Sequence, residues 1–204
     1  MIDSFEDFFI SLPAPYLVDQ LRGYHSKMEA LIEEAYNQND IDVVDYYLNF
    51  PIFISILRYS IITSAYAIFE RALHELCELV REKKYIGMRF YHLEKKNGEL
   101  ERCRMYLKKH TGVDISHIDH WTFINNINKV RNAIVHANGF LFESDHRALV
   151  KKLRNVAPNL EGINLKDEDG TVRISVERPF CEELISKVDK TITNICEPIF
   201  NAIY

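Results

Sequence analysis

Apolar residues recur at steps of three and four along much of the chain, a spacing that places them on one face of an α-helix. The pattern predicts amphipathic helices over residues 16–37, 51–83, 98–110, 120–137 and 178–203. The second of these is the longest and the most apolar, so we expect it to be the central helix of a bundle. The pattern therefore predicts an all-α fold, a bundle of about five helices.

A different periodicity appears late in the chain. Residues 163–165 and 172–176 alternate between apolar and polar on either side of the turn sequence at 167–170. Alternation on both sides of Asp-Gly predicts a β-hairpin. Residues 147–154 read only as a short basic stretch. We therefore expect one domain over residues 1–204, with a small hairpin inserted before the last helix.

Two segments bear on where the protein resides. Residues 46–69 carry a single charge and are long enough to cross a bilayer. Arg58 lies near their middle, where a charge costs roughly 2.5 to 3.5 kcal/mol, so a buried core helix is the better interpretation. The first residues include Asp3 and Glu6, where a secretory signal would be basic. We expect a cytoplasmic protein with no membrane partner.

Few residues have the spacing of a metal or cofactor site. The cysteines contain no C-x-x-C pair, which argues against a zinc site or a disulfide framework. His110, His117 and His120 lack a cysteine or carboxylate to complete a ligand set, and His74 with Glu75 lacks a second histidine. No glycine-rich phosphate loop or G-x-S-x-G motif occurs. We expect no metal and no cofactor, and reduced thiols at Cys77, Cys103, Cys181 and Cys196.

The net charge of −5 and the pI near 5.9 do not suggest a nucleic-acid-binding protein. The distribution is more informative, because residues 81–109 hold ten Lys/Arg against four Glu, a net of +6. A phosphate-binding face and an ordinary solvated face both fit this segment. If it binds RNA, the candidates on its helix are Arg102, Arg104, Lys108 and Lys109.

The helix predicted over residues 120–137 has two faces. One is apolar, and the other carries neutral polar residues at steps of three and four. Asparagine is a poor helix former, so this stripe suggests hydrogen bonding in a cleft or an interface, although an ordinary exposed face is the alternative. The apolar face comprises Trp121, Ile124, Ile127, Val130 and Ile134, and the polar stripe comprises Asn125, Asn128, Asn132 and His136.

Within this helix, the sequence Arg131-Asn132-x-x-x-His136 resembles the motif of the HEPN superfamily of ribonucleases. The long preceding helix with an internal Glu70 also resembles the superfamily. The resemblance implies a helical bundle that dimerises through the motif region, with Arg131 and His136 catalytic and Asn132 in support. Asn128 is a further supporting candidate, and Glu70 is a candidate for orienting the Arg or the His.

The resemblance implies a metal-independent endoribonuclease that acts as a homodimer on RNA. One subunit's His136 would serve as base and the other's as acid, while Arg131 holds the phosphate. Toxin–antitoxin, antiviral defence and stress-response roles fit, with an antitoxin or defence protein as a possible partner. Toxins paired with nucleotidyltransferases often have Tyr where this chain has Asn138. The alternative is a non-catalytic HEPN module that binds a nucleotide or a partner protein.

Overall fold

The computed structural model describes residues 4–37, 50–94 and 98–204. Within these residues, all five helices predicted from the apolar pattern are present, and two further helices join them. The break that the pattern predicts at residues 39–42 lies outside the described part. The helices are α1 (Phe5–Ser11), α2 (Pro13–Asn37), α3 (Phe50–Lys83), α4 (Glu99–Thr111), α5 (Trp121–Ala137), α6 (Glu143–Val156) and α7 (Arg178–Ile203).

The prediction of about five helices was therefore too low, since the described residues contain seven. Helix α1 spans seven residues, too few for a helical period to stand out. It begins at Ser4, whose side chain accepts a hydrogen bond from the Asp7 backbone N–H. Helix α6 was not predicted, because its segment is dominated by basic residues and has only a short apolar stripe. That stripe, Val150, Leu153 and Val156, is buried and follows the helical spacing.

The chain forms two compact units. Unit 1 consists of residues 1–19, 67–122 and 186–204, and unit 2 consists of residues 20–66 and 123–185. Among the described elements, α2, α3, α5 and α7 contribute residues to both units. That the chain is a single domain stays a prediction.

In unit 1, α1 packs on the end of α7 through aromatic rings. The ring centroids of Phe8 and Phe200 lie 5.2 Å apart, and those of Phe200 and Tyr204 lie 4.8 Å apart. Such tilted aromatic pairs add to the stability that comes from burying their area. The apolar spacing of α4 predicts that Leu100, Cys103 and Leu107 face the core, and all three are buried.

Unit 2 contains the predicted hairpin, formed by β2 (Ile163–Glu168) and β3 (Thr171–Val176). The strands are antiparallel, and Asp169 and Gly170 between them both have positive φ, as a tight two-residue hairpin turn requires. A short strand not predicted from the sequence, β1 (Phe140–Phe142), pairs with the other edge of β3. The sheet order is β1-β3-β2.

Helix α3 is long and apolar enough to span a membrane by length and composition alone, a test that the core helix of a soluble protein also passes. Its Arg58 makes a bidentate pair with the buried Glu29, with N···O distances of 2.8 and 2.9 Å, and donates to the Val176 carbonyl. Burial raises the pKa of Glu29, but the hydrogen bonds and the positive charge of Arg58 lower it by more, so that the pKa lies below its usual value. The charge is thus satisfied inside unit 2, and the fold is compatible with a soluble protein.

Candidate functional site

The motif lies on α5, which ends at Ala137 as the Asn-Gly sequence predicts. Asn138 and Gly139 both have positive φ, of 51° and 76°. A β-carbon at Gly139 would overlap the ring of Tyr59, whose hydroxyl donates to the Ile174 carbonyl. Burial raises the pKa of Tyr59 to about 12, so this hydroxyl remains a donor at neutral pH. The end of the motif helix is therefore locked by packing as well as by its cap.

The polar stripe of α5 forms a chain of hydrogen bonds that ends on the motif arginine. Asn132 Nδ2 donates to Asn128 Oδ1 at 3.2 Å, and Arg131 Nη1 donates to Asn132 Oδ1 at 3.1 Å. The guanidinium also lies over the ring of the buried Tyr66, 5.6 Å from its centroid. Within the described residues, no carboxylate pairs with Arg131. Its position is thus fixed by neutral groups, and its charge stays available for an anion.

The motif histidine has a different environment. His136 is exposed in the last turn of α5, and no described residue makes a hydrogen bond or ion pair with it. On an ideal helix, residues five apart lie about 140° apart in azimuth and about 7.5 Å apart along the axis. Arg131 and His136 of one chain are therefore poorly placed to contact a single atom together.

A groove of about 480 Å³ runs between α3 and the end of α5. Its wall is mostly apolar, and three large apolar residues of unit 2 are well exposed on these two helices: Phe53 at 51%, Ile56 at 52% and Val135 at 49%. Exposed apolar surface of this kind is typical of an interaction face. The groove is lined by Ile56, Tyr59, Ser60, Thr63, Ile134, Asn138 and Phe140.

The cations predicted to bind RNA on α4 have acidic partners in unit 1. Arg104 pairs with Glu101 at 2.6 Å and with Asp114 at 2.8 Å, and Lys108 pairs with Asp114 at 2.7 Å. Arg102 pairs with Glu99 at 3.4 Å. Lys109 is exposed, while Lys95 and Lys96 of the same basic segment lie outside the described residues. RNA binding by α4 stays a prediction, and three of its four cations are already neutralised locally.

A second basic face, on α6, was not singled out as a binding site. Arg147, Lys151 and Lys152 are exposed, and none pairs with an acid in the part of the chain that the structure describes. A groove of about 400 Å³ follows this helix and is lined partly by Arg147 and Lys151. The face belongs to unit 2, as the motif does, and residues 138–142 join α5 to α6. The sequence feature that indicates this basic face is the presence of four Lys/Arg residues within residues 147–154.

Sequence reasoning also missed a cluster in unit 1, where α3 faces α4. Ligand-type atoms of His74, Glu99 and Cys103 lie within 4.8 Å of one another, and Cys77 Sγ donates to the Cys103 carbonyl at 3.9 Å. The neighbouring Cys77 thiol and His74 imidazole lower the pKa of Cys103 to about 7, although burial opposes them. The pKa of His74 is raised by the Cys103 sulfur, against the effect of burial, with help from Glu99 and Glu70.

The sequence does contain a signal for this cluster. His74-x-x-Cys77 and Glu99-x-x-x-Cys103 each place two ligand-type side chains on one face of a helix. A search restricted to C-x-x-C and to histidine pairs does not find such mixed spacings. Glu70, predicted to orient the motif, belongs to unit 1 with His74, and its orienting role stays a prediction.

No family model matches the chain, and neither a curated protein nor a solved structure is significantly similar to it. The resemblance to HEPN ribonucleases therefore rests on the motif in α5 alone.

Proposed function

We propose that the protein is a metal-independent endoribonuclease of HEPN type that acts as a homodimer. The observation that carries this proposal is the contrast within one helix. Arg131 is held by Asn132 and by the face of Tyr66, while His136 is exposed and without a partner among the described residues. A fixed cation and an accessible histidine are the two groups that cleavage of RNA at neutral pH requires.

In the proposed reaction, one His136 takes the proton of the ribose 2′-hydroxyl, and the freed oxygen attacks the adjacent phosphorus. The bond from phosphorus to the 5′-oxygen breaks, and His136 of the other subunit protonates that leaving oxygen. Arg131 donates paired N–H groups to the phosphate oxygens as charge accumulates on them. The products are a 2′,3′-cyclic phosphate and a 5′-hydroxyl.

The geometry of the motif supports a dimer. Two copies of α5 that face each other would bring both pairs of Arg131 and His136 around one phosphate, which a single helix does not do. The exposed Phe53, Ile56 and Val135 supply apolar surface for such a contact. Light scattering at micromolar concentration should therefore give about twice the chain mass of 24.0 kDa, and a strict monomer would contradict the shared site.

Recruitment of RNA fits the basic face of α6 better than that of α4. The α6 face, Arg147, Lys151 and Lys152, is exposed and belongs to the same unit as the motif. Only a cation that is not already paired within the protein is free to neutralise a phosphate and release the counterion condensed on the RNA. The proposal includes a cytoplasmic role as a toxin or as an antiviral or stress-response effector, regulated by a partner protein.

The deciding assay incubates the purified protein with mixed-sequence RNA in excess chelator. Cleavage should persist, and a substrate with a 2′-deoxyribose at the scissile position should resist, because its internal nucleophile is missing. The His136→Ala variant should lose about 100- to 10,000-fold in rate, the usual contribution of general acid–base catalysis. Arg131→Ala should lose a similar amount, and Asn132→Ala less, since it positions the guanidinium without carrying charge.

Two exposed residues of unit 1 provide matched controls. His117→Ala removes a histidine whose side chain is 85% exposed, and Arg71→Ala removes an arginine whose side chain is 58% exposed. Both should cleave at the rate of the unsubstituted protein. Cleavage that appears only on adding magnesium, or that cuts the deoxy-substituted strand equally well, would overturn the proposed mechanism.

The second candidate is a non-catalytic module that binds a nucleotide or a partner protein. The half-buried position of Arg131 against Tyr66 favours it, because an arginine held in this way also serves structure. The two candidates differ in the assay above. The module would retain ligand or partner binding but show no cleavage that depends on His136.

A further inference from the structure

Unit 1 contains three side chains with the chemistry of zinc ligands in one place. The nitrogen, oxygen and sulfur atoms of His74, Glu99 and Cys103 lie within 4.8 Å of one another, and His74 Nε2 is 3.4 Å from Glu99 Oε1. They come from two helices: His74 from α3, and Glu99 with Cys103 from the first turns of α4. Mixed nitrogen, oxygen and sulfur ligation is characteristic of zinc and excludes magnesium and calcium, which prefer oxygen.

The spacing suits a tetrahedral ion. With Zn–N near 2.0 Å and Zn–S near 2.3 Å, ligand atoms around one zinc lie about 3.3 to 3.8 Å apart. The His74–Glu99 pair already has this separation. The remaining pairs reach it when side-chain rotations move the ligand atoms by about 1 Å.

The neighbouring residues hold the three side chains in place. The His74 ring packs against Phe90, with centroids 4.8 Å apart. Arg102 Nη1 lies 3.5 Å from Glu99 Oε1 and 3.4 Å from Glu99 Oε2, so it holds the carboxylate whose Oε1 faces His74. Partners of this kind orient the ligands of a metal centre and tune their affinity.

One ligand atom is buried without a hydrogen bond. His74 Nε2 has no hydrogen-bond partner within the described residues, and its contact with Glu99 Oε1 at 3.4 Å is an ion pair only when His74 is protonated. A buried polar atom left in this state destabilises a fold unless something binds it. A metal ion bound at Nε2 removes that penalty.

We propose that His74, Glu99 and Cys103 bind one zinc-class divalent cation. Cys103 is buried at 1% exposure, whereas the His74 side chain is 39% exposed, so the site reaches solvent on one side. Three protein ligands and an open side leave the fourth position to water or to an external ligand. The proposal is independent of RNA cleavage, because the motif belongs to unit 2 and its chemistry uses no metal.

Cobalt(II) is the probe for the test, because its spectrum reports both thiolate ligation and coordination number. Protein freed of metal by dialysis against chelator should bind one Co²⁺ per chain, with a thiolate-to-cobalt charge-transfer band and strong tetrahedral d–d absorption. Zn²⁺ should displace it. The Cys103→Ser variant should lose the charge-transfer band. The control Cys196→Ser, also buried and in unit 1, should keep it.

A second variant covers the case in which Cys103→Ser does not fold. His74→Gln, at a half-exposed position, should weaken Zn²⁺ binding at least tenfold by competition with a chromogenic chelator, and circular dichroism checks that its helices remain. Zn²⁺ should also raise the unfolding temperature of the unsubstituted protein and of Cys196→Ser. A charge-transfer band that survives in Cys103→Ser, an unchanged Zn²⁺ affinity in His74→Gln, or no cobalt binding at all would overturn the proposal.

Discussion

The two basic helices of this protein, α4 and α6, differ in what surrounds their cations. On α4, Arg102 and Arg104 each follow a glutamate by three residues and pair with it. On α6, Arg147 and Lys151 are exposed without such a partner among the described residues. Glu143, four residues before Arg147, pairs instead with Arg154 of the same helix. A basic run in a sequence therefore measures how much charge is present, whereas the pairs that acids make in the fold decide how much of it is available to a ligand.

The helices also differ in what fixes them. A network of ion pairs around Asp114 ties α4 to the segment after it. The start of α6 is fixed through the backbone, because Glu143 N donates to the Gly170 carbonyl and Ile174 N donates to the Gly139 carbonyl. Ion pairs near the surface contribute little each, while packing and backbone conformation contribute more. Substitutions at the two places should therefore have unequal effects.

The largest effect on stability is expected at Gly139. Gly139→Ala forces an alanine to a φ of 76° and places its β-carbon on the buried Tyr59 ring. The left-handed conformation costs about 1 to 2 kcal/mol and the overlap about 1 to 3 kcal/mol, so the free energy of unfolding should fall by about 2 to 5 kcal/mol. Urea unfolding followed by circular dichroism measures the change.

Gly170→Ala separates the two causes. Gly170 has nearly the same φ, 78°, but nothing lies within 4 Å of the position of its β-carbon. It should therefore lose only the conformational part, about 1 to 2 kcal/mol. Equal losses at Gly139 and Gly170 would mean that the contact with Tyr59 does not matter.

The next effect concerns RNA affinity. Replacing Arg147, Lys151 and Lys152 together by Gln should lower the slope of log affinity against log salt by about 2, since each phosphate contact to single-stranded RNA contributes about 0.7. At 0.1 M salt this corresponds to roughly 100-fold weaker binding. Fluorescence anisotropy over a series of salt concentrations measures both quantities. A slope unchanged by these replacements would make the α6 face an ordinary solvated surface.

On α4, Arg104→Gln should affect stability and leave RNA binding alone. The side chain loses its pairs with Glu101 and Asp114, which should cost about 1 kcal/mol and lower the unfolding temperature by about 2 to 4 °C. Its RNA affinity and salt slope should match those of the unsubstituted protein. A reduced salt dependence of RNA affinity in this variant, with α6 intact, would indicate that α4 contacts the RNA.

Much of the fold was readable from the sequence because its signals are local. The periodicity of α3, α5 and α7, the hairpin turn and the Asn138-Gly139 cap all depend on residues a few positions apart. β1 was not predicted, since a three-residue strand is defined by its partner β3 and carries no pattern of its own. Helix α6 shows that a visible charge run can hide an apolar stripe.

In the candidate sites, too, contacts within one helix could be predicted from the sequence, whereas contacts between helices could not. The Arg131–Asn132 hydrogen bond and the exposure of His136 follow from positions on one helix, so the polar stripe predicted a hydrogen-bonding role. The stacking of Arg131 on Tyr66 joins residues 65 positions apart. The contact between His74 and Glu99 joins residues 25 positions apart. Such contacts are set by packing between helices, which single-sequence periodicity does not encode.

The smallest effect is a dependence on pH that tests the ion pairs of α4 directly. Hydrogen bonds from Lys108, Ser116 and Arg104 hold the pKa of the Asp114 carboxyl far below its usual value of 3.8. A carboxyl whose pKa is lower in the folded state stabilises that state fully above the unfolded value, and this stability is lost as the pH falls below it. The difference in unfolding temperature between the unsubstituted protein and Asp114→Asn should therefore stay constant from pH 7 to about 5 and shrink below pH 3.8. Calorimetry at closely spaced pH values measures it, and Glu101→Gln, which removes a different partner of Arg104, serves as the control. A difference that stays constant below pH 3.8 would mean that Asp114 has the same pKa in the folded and unfolded states, and a difference that grows as the pH falls would mean that its folded pKa is raised. Either outcome would mean that the pairs around Asp114 do not hold α4.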